Sequence, residues 1–441
     1  MTPVFNLKLP AEDSLRTALH NEIHTRPSAS IELPAVIFYV AVLNVNVTVQ
    51  DELDHLRKLP GQSDLALAQL KANFLQIQSD PFTLIWERHT EFTRYTLIQT
   101  LPRSLAWDQV CPDLTQTVAT GTPWIEFIPG RTITAIQLVM LNHGMDDPDA
   151  LSHARQWLGE NTLIGAKMGR TTHGHSHSHL LSTLRIDASG FERILVLASP
   201  DTSPSRAGRI AQRILELETY RMMALLSLPV AKSLGNKLTQ TEVQLVNITN
   251  RLEKKIDTDE VLLNDLASLA VQVESATAEH SYRFSAARAY NAIVLERISE
   301  MRESPLSGIQ TVGEFMQRRL APAMATVNAT SERLANLAER VARASALLRT
   351  RVEIAAEQHN QQLLEKLTRG QALQLRLQST VEGLSIAAIT YYVVSLALYV
   401  GKAIKALGVN LNPEVFAGLM IPFVLFFARK TIQKIHQQIH N

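Results

Sequence analysis

Residues 383–401, GLSIAAITYYVVSLALYVG, run for nineteen positions without a charge. Nothing else in the chain constrains its fold as strongly. A helix rises ~1.5 Å per residue, so about 20 apolar residues cross the hydrocarbon core of a bilayer. The stretch therefore predicts a transmembrane helix. A second run, VFAGLMIPFVLFFA (415–428), has fourteen residues and reaches the length of a span by taking in Leu411–Glu414. Between the two, ALGVNLNPEVF (406–416) clusters Gly, Asn and Pro and reads as a turn. Pro422 is tolerable where a neighbouring helix satisfies the freed carbonyl. The expectation over 381–429 is a two-helix transmembrane hairpin, with spans at about 383–401 and 412–428. Lys366, Arg369 and Arg376 precede it, Arg429, Lys430 and Lys434 follow it, and only Lys402 and Lys405 lie in the connection. The positive-inside rule then puts both termini, including the basic tail 430–441, in the cytoplasm.

The remainder is long enough for more than one domain: the chain has 441 residues, 46% of them apolar. A net charge of +1 gives no general attraction to nucleic acid. Cys111 is the single cysteine, which rules out an intrachain disulfide. The opening MTPVFNLKLPAEDS lacks the basic and apolar regions of a secretory signal, so the N-terminal bulk is expected in the cytosol. Up to about residue 200, β-rich runs appear at 35–47, 82–99, 133–141, 180–186 and 193–199. The run 82–99 reads as two strands around a turn at His89–Glu91, and DASG (187–190) as a hairpin turn. Helical patterns sit at 51–59, 61–78 and 148–158. Residues 1–200 are thus expected to form an α/β or α+β domain with a mixed or antiparallel sheet.

Strand signals stop at PDTSPSRAG (200–208). Ser203 followed by Pro204 predicts a capped helix start. Helical regions are expected over 201–303 and 308–380, the second as long helices and a stalk, with breakers at Pro229, Gly235 and ESPLSG (303–308). From Val327 through Thr330, Leu334, Leu337, Val341 and Ala344 to Leu348 the spacing alternates three and four, a seam for coiled-coil-like helix pairing.

Several constellations carry chemistry. His173, His175, His177 and His179 alternate as side chains do on one face of a strand. They could share a metal ion, or form a solvated loop. NEIHTRP (21–27) brings Glu22, His24 and Arg26 close together, as an acid–base trio or a hydrogen-bonded corner. In LELETYRMMALLSL (215–228), Glu218 and Arg221 are spaced for a surface ion pair, and Met222 and Met223 read as core filling. The chain has no nucleophile-elbow, P-loop, dinucleotide or zinc-protease motif, and no enzyme class is indicated. On the apolar helix a polar stripe runs from Gln371 through Glu382, Ser385, Tyr392, Ser395 and Tyr399 to Lys402. Such a stripe faces protein or water rather than lipid, either as a helix contact or as a pore lining.

NEIHTRPSA, LELETYRMMALLSLP and LQLRLQSTVEGLSIAAITYYVVSL together resemble DUF3422, an uncharacterised bacterial family of membrane-anchored proteins. That likeness implies an inner-membrane location and no known activity. A second likeness is architectural: cytosolic α/β domain, long helices, two C-terminal spans and a basic tail are arranged as in CorA-type magnesium channels. Gly408, Val409 and Asn410, followed by Pro413 and Glu414, stand where those channels carry Gly-Met-Asn and often Pro-Glu. This resemblance implies a ring of subunits lined by the first-span stripe, an outer-mouth turn at Gly408–Asn410, and Mg²⁺ or another divalent cation as the ion carried. Two functions follow as expectations. One is a homo-oligomeric CorA-like cation channel or transporter. The alternative is a membrane-anchored scaffold or sensor that binds partner proteins through its helical region, without transport or catalysis.

Overall fold

The computed structural model describes residues 10–22, 27–102, 118–142, 150–159, 162–169, 178–407 and 412–439. The chain divides into two units, Met1–Lys254 with Asp265–Ala342, and Lys255–Asn264 with Arg343–Asn441.

The first unit is built on a nine-stranded sheet. Its strands are β1 (Ala35–Leu43), β2 (Phe74–Ser79), β3 (Phe82–Arg88), β4 (Phe92–Thr100), β5 (Arg131–Asn142), β6 (Ile164–Met168), β7 (Ser178–Ile186), β8 (Glu192–Ala198) and β9 (Ser304–Pro305). They lie in the order β2-β3-β4-β1-β5-β8-β7-β6-β9. The β5–β8 pair is parallel and every other named pair is antiparallel, so the sheet is mixed. The strand AVIFYVAVL of β1 is central and buried almost throughout. Its unbroken apolar run follows from having both faces covered.

One face of the sheet is apolar. Val36, Phe38 and Val40 of β1, with Trp86, Tyr95 and Leu195, pack against α2 (Val49–Leu56), α3 (Thr122–Glu126) and α4 (Ala150–Leu158) in a single core. The other face carries Ile37, Tyr39 and Ala41 of β1, paired with Ile98, Thr96 and Arg94 of β4. It lies against α5 (Pro204–Leu225), whose N-cap Ser203 accepts from the Arg206 N–H at 3.4 Å. A short α1 (Arg16–Glu22) precedes the sheet.

Three local expectations fail. The helical pattern at 61–78 is instead a 3₁₀ turn at Leu67–Leu70 followed by β2. Asn73 at φ 54° ends the turn, and the period-two alternation of FLQIQS pairs residue by residue with β3. Pro229 and Gly235 do not break the helix that contains them, α6 (Ser227–Lys254). Pro229 stands in its first turn, where the missing N–H has no helical partner to lose. The break comes at Lys255, with φ 52°. The chain then enters α7 (Asp259–Met301). Strand structure also returns once after residue 208. Ser304 and Pro305 of the ESPLSG break form β9 at the sheet's edge, against β6.

The last helices are α8 (Val312–Ala406), 95 residues long, and α9 (Pro413–Ile439). In α8 the expected seam is buried at Val327, Leu334, Leu337, Val341 and Leu348. Its polar member Thr330 returns its hydroxyl to the Thr326 carbonyl at 2.9 Å. From 353 to 381 every residue of α8 is exposed. Among the described residues α8 is the one helix long and apolar enough to cross a membrane, by length and composition. Beyond 385 the less exposed positions recur at Ile386, Thr390, Val394, Ala397 and Gly401. In α9 they recur at Pro413, Ala417, Met420, Val424 and Ala428. A Cβ built on Gly401 would stand 3.4 Å from Pro413, so α9 begins against the end of α8.

Candidate functional site

The second face of the sheet is where the sequence departs from an ordinary core. Helix α5 lays Glu216, Glu218 and Thr219 on it, all buried. A helix presenting charge to a sheet needs charge in return, and Arg94 of β4 supplies it to Glu216. On β3 and β4, Glu87 and Arg94 are cross-strand neighbours, and both are buried. Arg94 donates to Glu87 (Nη2–Oε1, 2.7 Å) and reaches Glu216 at 3.5 Å. Burial works against the Arg94 charge, and Glu87, Tyr39 and Glu216 outweigh it. Glu216 also accepts from the Gln212 amide at 2.8 Å and from Arg297 of α7 at 2.7 Å. Arg297 and Arg213 share Glu300. Three arginines and three glutamates thus form one neutral network from the sheet through α5 to α7.

A second cluster stands on β8. Glu192 and Glu218 are both buried and both meet Arg221, whose Nε donates to Glu218 at 2.8 Å and whose Nη2 lies 3.6 Å from Glu192. The Glu218–Arg221 pair is therefore internal, not on the surface as its i, i+3 spacing suggests. Burial, and next the Glu218 charge, push the Glu192 carboxyl well up from its ordinary range. Between the two clusters the Tyr39 hydroxyl meets Thr219 at 2.6 Å, and burial pushes that phenol up. Met223 is fully buried beside this layer, as core filling requires.

At one end of the layer a small recess of about 40 Å³ remains. The sheet lines it with Ile37, Ile85, Thr96 and Ile98, α5 with Gly208, Ala211, Gln212 and Leu215, and the segment 27–31 covers it. That segment is tied down twice. Ile31 N–H donates to the Pro204 carbonyl at 3.1 Å, and Ser28 Oγ donates to Gln212 Oε1 at 2.8 Å. Gly208 is required here, because a Cβ would sit inside the Ala29 carbonyl.

A family model described as "Protein of unknown function (DUF3422)" matches residues 11–439. The chain belongs to the DUF3422 family. No curated protein and no solved structure matches it. Two of the three stretches that carry the likeness in the sequence meet at this DUF3422 site. The end of NEIHTRPSA supplies Ser28 and Ala29, and LELETYRMM supplies Glu216, Glu218 and Arg221.

The other residues singled out in the sequence lie elsewhere. Glu22 ends α1, while His24 and Arg26 lie outside the described residues. So do Cys111, His173, His175 and His177. His179 is on β7, buried, opposite Leu197 of β8 and Lys167 of β6. Among the described residues no three His, Cys, Asp or Glu side chains converge as a metal set. Gly408, Val409 and Asn410 also lie outside the described residues. Glu414 is exposed in the first turn of α9. On α8, Glu382, Ser385 and Ser395 are half-buried, and Tyr392 and Tyr399 stand exposed at 70% and 68%. The Lys402 ammonium lies 5.7 Å from the centre of the Tyr399 ring, in cation–π range.

Sequence reasoning missed Arg94, Glu87, Glu192 and Tyr39. The available signal was charge and hydroxyl inside strands that otherwise read as apolar.

Proposed function

We propose that this DUF3422 protein is a bacterial inner-membrane scaffold or sensor. Residues 383–401 and 412–428 anchor it as a hairpin with both termini in the cytoplasm. The sheet domain and the helices before the anchor face the cytosol and receive partner proteins, and copies associate through α8. One observation carries the anchoring. Leu384, Leu396, Leu419 and Phe423 are exposed at 75%, 69%, 65% and 66%, within two helices that meet near Gly401. Soluble monomers rarely leave contiguous apolar patches beyond a few hundred Å², whereas hydrocarbon makes that surface favourable. Self-association accounts for the wholly exposed stretch 353–381, since an isolated helix in water is marginal without a partner face. Washing cell membranes with alkaline carbonate tests the anchor. The full chain is expected to stay in the pellet and to leave it only with detergent. Its recovery in the carbonate supernatant overturns the proposal.

A second reading, the CorA-like cation channel, draws on a different observation. Ile386, Thr390, Val394, Ala397 and Gly401 are among the less exposed positions of α8, and Gly401 meets α9, while Ala388, Tyr392 and Tyr399 are exposed. The exposed tyrosines of the stripe are thus free, within one copy, to face the same stripe in others. In a ring it would line the axis, with Gly408–Asn410 and Glu414 at the outer mouth and Mg²⁺ as the fitting hard ion.

A further inference from the structure

We infer that one face of α8, running from Leu363 to Tyr399, pairs in parallel and in register with the same face of a second copy. The inference rests on the membrane anchoring proposed above and names the surface through which copies meet.

Spacing defines the face. Leu363, Leu367, Gly370, Gln374, Leu377 and Val381 alternate steps of four and three, the seam of a two-helix contact. One further step of four leads to Ser385, and the alternation resumes through Ala388, Tyr392, Ser395 and Tyr399. A single slip of this kind unwinds the supercoil locally without leaving the face. The chemistry of the face changes once, where the charge-free stretch 383–401 begins. Before it the members are mostly Leu and Val; within it they are Ser, Ala and Tyr. In water, apolar side chains drive helices together. In hydrocarbon they gain nothing over lipid, and small residues and hydroxyls make the contact instead. The same side of the helix is thus suited to pairing in each solvent it crosses. Tyr392 is the middle residue of 383–401, away from both interfaces where tyrosines anchor, and it stands exposed.

The chain itself does not cover this face. The seam of α8 is buried as far as Leu348, and Arg351 still reaches Asp259 at the start of α7, at 3.2 Å. Beyond that, 353–381 is exposed on every side, and a Cβ built on Gly370 would meet nothing within 4 Å. Within the span the less exposed positions, from Ile386 and Thr390 to Gly401, lie about half a turn round the helix from the face. Gly401 is where α9 meets α8, so α9 and a second copy do not compete.

A second copy is the occupant that fits. Copies inserted in one membrane share one orientation and one depth, so their α8 helices run parallel with like residues at like height. The face is then self-complementary, leucine against leucine and hydroxyl against hydroxyl. No member of it is charged. Gln374 fixes the register. Its amide both donates and accepts, so two of them satisfy each other side by side. A stagger of one repeat would bury each amide against leucine or valine.

The test is disulfide trapping of the full chain in its own membranes, on a Cys111→Ser background so that each variant carries one thiol. A disulfide needs Cβ atoms about 3.5–4.5 Å apart, so Leu367→Cys, Val381→Cys and Tyr392→Cys are expected to link chains about fivefold more than Ala372→Cys and Ser379→Cys on the opposite side. In cells making two differently tagged chains, Leu367→Cys links to Leu367→Cys and not to Leu377→Cys. Should Cys111→Ser not fold, the same substitutions in the wild-type chain are read against wild type alone. The inference is overturned by trapping at Ala372→Cys as strong as at Leu367→Cys, by no trapping at Leu367→Cys and Val381→Cys, or by Leu367→Cys linking as well to Leu377→Cys. Carbonate washing of the same membranes separates this inference from the anchoring. A chain kept in the pellet without face-specific trapping sinks the pairing alone, and a chain released to the supernatant sinks the anchor.

Discussion

Arg94 shows how a single residue holds the second face of the sheet together. Its guanidinium is buried between two carboxylates, so removing it strands Glu87 without a counter-charge. Breaking a buried pair by deleting one partner costs about 3–5 kcal/mol, while replacing both partners with apolar groups is often neutral. Arg94→Leu should therefore lower stability by about that amount in chemical denaturation, and Arg94→Leu with Glu87→Leu should recover most of it. Glu216 keeps Arg297 in both variants. His55, under the opposite face, makes a different prediction. It stacks on Trp124 at 4.5 Å, and neither ring nitrogen has a hydrogen bond among the described residues. Burial, and next the Lys58 charge, lower it from 6.5 to about 4. The folded value lies below the unfolded one, so the unfolded chain takes up the proton first. Stability is full above pH 6.5 and is lost as the pH falls toward 4. Melting of the wild type should drop between pH 7.5 and pH 5, and His55→Leu should show a smaller drop.

At the scale of elements, Gly401 is where the beginning of α9 approaches α8. A leucine there must displace Pro413 or Phe416, which lie 3.4 and 3.7 Å from a Cβ. Gly383, on the same helix, has nothing within 4 Å. Gly401→Leu should lower the melting temperature of the detergent-solubilised protein, while Gly383→Leu should leave it unchanged. Equal effects would mean that α8 and α9 do not pack here. The contrast also marks what the sequence could reveal. Strands β1, β3, β4, β5, β7 and β8 were legible because β-branched and aromatic runs between turn residues have few other readings. Strand β2 was not, because its leucine and isoleucine fit a helical spacing until Asn73 forces the turn. The seam of α8 was legible because its period is local. The polar layer was not. Arg94 and Glu216 are 122 positions apart, and a glutamate in a helix gives no sign that an arginine waits on a distant strand. Spacing alone put Glu218 and Arg221 together correctly but on the wrong side of the surface.

For the whole molecule, the number of copies decides between the two proposed functions. In both proposals one chain offers two apolar helices to the bilayer, too few to enclose a path for an ion. In a scaffold the stripe from Ser385 to Tyr399 is buried against another copy, and a dimer suffices. Hydroxyls across such an interface contribute about 0.6 kcal/mol each in membrane proteins, enough to orient helices. In a channel the same stripe must stay wet, which requires a closed ring of several helices. Mass photometry of the solubilised protein separates the cases. The scaffold or sensor reading expects a dimer, and no Mg²⁺ flux after reconstitution into liposomes. A ring of four or more copies that conducts Mg²⁺ would replace it with the channel, and Asn410→Ala should then abolish the flux. A ring that does not conduct returns the stripe to helix packing, because a hydroxyl lining without passage leaves contact between copies as its remaining role.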